Sequence, residues 1–107
     1  MKYEINENRV KINDKHDIEF KYNVKAVIEV TNTLIVLLDV PPKESMSENI
    51  FGVTSKGQIL WQVESRPDLF GDDDGDMYVG LLSKNEDEIT AFRWQCLRVS
   101  IDIHTGK

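Results

Sequence analysis

A chain of 107 residues, 40% hydrophobic and 30% charged, can bury one core but not two, so residues 1–107 are expected to form a single domain. Its net charge of −6 counts against a nucleic-acid binder, which needs a basic face to displace counterions. No apolar run approaches the roughly 18 residues of a membrane span, and the longest, Leu34 to Leu38, stops at Asp39.

In chain order the dominant period is two, the mark of half-buried strands. Tyr3–Ile5 and Arg9–Ile12 are short N-terminal strands. Ile18 and Phe20 alternate with Glu19 and Lys21, and Ile28 and Val30 flank Glu29. Thr31-Asn32-Thr33 suits a tight hairpin into Leu34–Val40, which is apolar on both faces and so belongs at the centre of its sheet. Pro41 and Pro42 end that strand. Lys43 to Glu48 is at most a turn of helix. Ser55-Lys56-Gly57 divides Ile50–Thr54 from Gln58–Val63, with Gly57 free to take the left-handed conformation of a three-residue hairpin loop. Asn85 to Glu88 divides Met77–Ser83 from Ile89–Trp94. In the last strand Leu97, Val99, Ile101 and Ile103 face one way, and Arg98, Ser100 and Asp102 the other. These patterns predict an all-β antiparallel meander of seven to nine strands, forming a small barrel or two packed sheets. Phe51, Trp61 and Phe92 are expected in the core, with Tyr78 and Trp94 buried on the faces of Leu82 and Phe92.

Candidate chemistry is sparse. Cys96, the one cysteine, follows Trp94-Gln95 and reads as structural filler, since a nucleophilic thiol wants a nearby base and the only histidines are His16 and His104. His16 sits in a polar stretch and His104 beside a turn glycine. Neither has a neighbour at metal-ligand spacing. Gly71-Asp72-Asp73-Asp74-Gly75-Asp76 is rich in oxygen, yet aligning Gly75 with the turn glycine of a calcium-binding EF-hand loop puts Phe70 and Leu81 where the end ligands belong. A solvated acidic loop is the expectation, with no metal and no cofactor. Met1 to Asn6 carries no basic-then-apolar signal region, and with a lone cysteine this makes the cytoplasm the expected location.

The acid is unevenly spread. Residues 1–40 hold six basic and seven acidic side chains, residues 41–76 three and eight, and residues 77–107 four of each. A partner surface is therefore expected at Glu64, Asp68, Asp72, Asp73, Asp74 and Asp76, with Glu44 and Glu48 at the rim and a basic protein as the partner. Phe70, a large apolar side chain inside that stretch, is either a core plug or an interface anchor.

Ile50 to Trp61, with its turn glycine and a tryptophan four residues on, resembles the strand–turn–strand hairpin of quinoprotein-like propeller blades, with Thr54 where an aspartate is usual. Ile101-Asp102-Ile103-His104-Thr105-Gly106-Lys107 looks like the same turn again. A propeller needs at least about four such blades of roughly 40 residues, more than this chain can hold. The valine-leucine-leucine-aspartate strand, the glycine hairpin and the Asp-x-x-Thr-Gly-Lys ending also resemble small acidic β proteins of bacterial toxin-immunity systems. That resemblance implies a non-enzymatic cytoplasmic inhibitor of a basic toxin domain. The competing expectations are a small-ligand-binding or hydrolytic barrel, which requires a concave pocket with ionisable groups, and a scaffolding subunit that pairs through an exposed edge strand.

Overall fold

The alternation resolves into three antiparallel meanders in the computed structural model, which describes residues 2–41, 48–63, 78–93 and 98–107. The first sheet holds β1 (Tyr3–Asn6), β2 (Arg9–Ile12) and β3 (His16–Glu19). The second runs in the order β4 (Val24–Val30), β5 (Thr33–Leu38), β6 (Ile50–Thr54) and β7 (Ile59–Gln62). The third holds β8 (Tyr78–Ser83), β9 (Glu88–Arg93) and β10 (Arg98–Asp102). All pairings are antiparallel between consecutive strands, as a meander requires.

The four-stranded sheet is the middle layer. On one side Leu34, Val36, Leu38 and Val53 pack with Val10, Ile12, Ile18 and Phe20 of the first sheet and its exit. On the other, Ile35, Leu37, Ile50 and Trp61 pack with Tyr78, Ile89, Ala91, Val99 and Ile101 of the third. Both faces of β5 are thus covered, and all six of its residues are buried. Leu34, Ile35, Val36 and Leu37 are wholly inaccessible, each stabilising by about 1.5–3 kcal/mol. The sheets pack without closing into a barrel. The all-β antiparallel meander is as expected, packed as sheets and not as a barrel. The described residues form ten strands in three sheets, against seven to nine expected, because a strand apolar on both sides needs cover on both.

Turn chemistry follows the local sequence. Thr31 and Asn32, at φ 46° and 60°, make the two-residue loop between Val30 and Thr33. Gly57, at φ 78°, closes a three-residue loop in which Gly57 N donates to Thr54 O at 3.1 Å. The Thr54 hydroxyl oxygen accepts from Lys56 N and Gln58 N at 3.3 and 3.2 Å, the part an aspartate would play there. In the C-terminal turn Asp102 Oδ1 accepts from His104 N at 2.8 Å, while Gly106 N reaches back four residues to Asp102 O. The two segments share a capped turn and a glycine at positive φ, but the second loop is one residue longer.

The third sheet departs from simple alternation. A register shift between Tyr78 and Gly80 turns Leu81 toward the core and leaves Leu82 58% exposed, although Leu82 was expected to share the buried face of Tyr78. On β9 the buried face is Ile89, Ala91 and Arg93, so Phe92, expected in the core, lies half-buried on the outer face over Gly80. Trp94, Cys96 and Leu97 lie outside the described residues.

Candidate functional site

Long connections leave one end of the stack, and short turns close the other. At the closed end the hairpin tips are tied to one another. Thr31 Oγ1 donates to Glu86 O at 2.7 Å, Asn13 Nδ2 to Ser55 O at 3.2 Å, and Ile103 N to Asp87 O at 2.9 Å. His104 Nε2 lies 3.1 Å from Asp87 Oδ1 on the surface. His16, in its polar stretch, is half-buried, with its Cβ packed against Gly57. The two histidines are thus engaged at different turns, and among the described residues no group of three metal-ligating side chains occurs.

The opposite end is built on Asn49 and Ile50. Val63 N, just after β7, donates to Ile50 O at 2.8 Å. Tyr78, which opens β8, is held by Asn49: Tyr78 N donates to Asn49 Oδ1 at 3.0 Å, and Asn49 Nδ2 donates to Tyr78 O at 2.9 Å. The same amide donates to Leu38 O at 2.9 Å, and Leu38 N donates to Asn49 O at 2.9 Å. Asn49 is fully buried with its side-chain amide bonded at both ends, so it rivets the middle sheet to the third. The segment from 64 to 77 therefore leaves and rejoins the scaffold at adjacent residues.

Glu64, Asp68, Phe70, Asp72, Asp73, Asp74 and Asp76 belong to that segment and lie outside the described residues, as does Glu44. Glu48 is described: it is half-buried, and its carbonyl accepts from Gln62 Nε2 at 2.9 Å. Residues 64–77 contain six acidic and one basic side chain, a net −5 out of −6 for the chain, so all other residues together sum to −1. Within the scaffold, acid is matched by base. On the outer face of the first sheet Glu4, Lys11 and Asp17 stand in cross-strand register, as do Asn6, Arg9 and Glu19. Lys2 and Asp14 are 3.1 Å apart, and that hydrogen bond, followed by the carboxylate's charge, raises the Lys2 pKa.

Two features at this end escaped the sequence reading. Arg93 is only 4% exposed, with its guanidinium 5.0 Å from the centre of the Tyr78 ring, so a positive charge is embedded where the acid-rich stretch rejoins the sheet. An arginine on a period-two apolar face, after Ile89 and Ala91, was the available signal. Beside Leu38 there is also an open cleft of about 440 Å³ lined by Lys21, Tyr22, Asn23, Asp39 and Pro41, where Lys21 Nζ stands 5.3 Å from the Tyr22 ring centre. Its opposed charges select no one class of ligand.

A family model described as "Domain of unknown function (DUF7957)" matches residues 1–107. The chain belongs to the DUF7957 family. No curated protein and no solved structure matches it. Membership in DUF7957 spans the whole three-layer unit, including the acid-rich segment, and its description assigns no activity.

Proposed function

We propose that this domain is a non-enzymatic binding module that engages a basic protein through residues 64–76. Glu64, Asp68, Asp72, Asp73, Asp74 and Asp76 supply the charge and Phe70 an apolar anchor. The observation that carries this reading is the joining of a net −5 segment, at both ends, to consecutive buried residues of a nearly neutral scaffold. Fixed roots restrict where the charge can go, and concentrated charge accelerates encounter with an oppositely charged surface. The resemblance to toxin-immunity proteins supports a particular form: a cytoplasmic inhibitor of a basic toxin domain.

The test is the association rate with a basic nuclease toxin domain, measured as ionic strength rises. Steering by exposed acid gives a rate that falls steeply with salt, and replacing Asp72, Asp73, Asp74 and Asp76 by asparagine slows association by about tenfold or more at low salt. A rate indifferent to salt, or a variant as fast as the natural chain, overturns the proposal.

A further inference from the structure

We draw no further inference here: the strongest candidate, the half-exposed apolar stretch of Ile59 and Leu60 on β7 at the outer edge of the middle sheet, carries none, because nothing in the structure shows what covers it.

Discussion

Trp61 lies so close against Gly106 that a Cβ built on the glycine would stand 2.7 Å from Cε3 of the indole. The ring is held on its other side by Gly52, where a Cβ would also overlap it, and Nε1 donates to Ile103 O at 2.6 Å. One tryptophan therefore joins the edge of the middle sheet to the turn that follows β10. Gly106→Ala is expected to destabilise by about 2–4 kcal/mol, from overlap with the ring and from a φ of 77° that disfavours a side chain. Trp61→Phe keeps an aromatic ring but leaves the Ile103 carbonyl without its donor, at about 1–3 kcal/mol. Urea midpoints of the two variants test both figures, and a Gly106→Ala chain as stable as the parent would show that the turn does not close on the indole.

Asn49 leads to a second prediction. Its side-chain amide satisfies the Leu38 carbonyl and both backbone groups of Tyr78 in a fully buried site. Asn49→Ala is expected to cost about 2–4 kcal/mol, since several buried polar groups lose partners together. Asn49→Asp offers no relief, because a carboxylate cannot donate to the two carbonyls and its charge is costly to bury. Amide exchange should then accelerate at Tyr78 and along β8 before it does along β5. Equal acceleration everywhere would mean that Asn49 supports the whole fold and not this junction.

Most of this architecture was legible because period two states which face of a strand is wet. Leu34 to Leu38, apolar on both faces, announced the middle strand, and Gly57 announced its turn. What escaped were local register shifts. The bulge after Tyr78 exchanges the faces of Leu81 and Leu82, and strict alternation cannot show where one residue is inserted. Arg93 escaped for a related reason: a charged residue in an alternating strand is assigned outward by default, whereas this one buries its stem and stacks on Tyr78. Asn49 gave no periodic signal, since its role depends on a partner 29 residues away. The concentration of acid in residues 64–77 was plain from counting, but the closeness of the segment's two roots required coordinates.

That bulge can be checked directly. Leu82→Lys, at a position 58% exposed, is expected to change stability by no more than about 0.5 kcal/mol. Leu81→Lys places an ammonium against Ile89, Ala91 and their neighbours, and is expected to cost about 3 kcal/mol or more. The reverse order of the two, measured by thermal or urea unfolding, would return the strand to unbroken alternation and remove the register shift.

The β4–β5 turn offers a stabilising change. Thr31 and Asn32 both hold positive φ, the pattern of a hairpin turn whose second position favours glycine. Asn32→Gly relaxes the backbone at φ 60° without touching the Thr31 hydroxyl, which donates to Glu86 O at 2.7 Å. A gain of about 0.5 kcal/mol is expected, since relief of left-handed strain slightly exceeds the added freedom of the unfolded chain. Thr31→Gly eases the backbone in the same way but breaks the tie between this turn and the β8–β9 hairpin. It should therefore destabilise by about 1 kcal/mol, the net worth of one hydrogen bond. If both glycine variants shift the unfolding midpoint equally and upward, turn geometry alone governs this end of the molecule and the Thr31 bond contributes nothing to holding the middle and third sheets together.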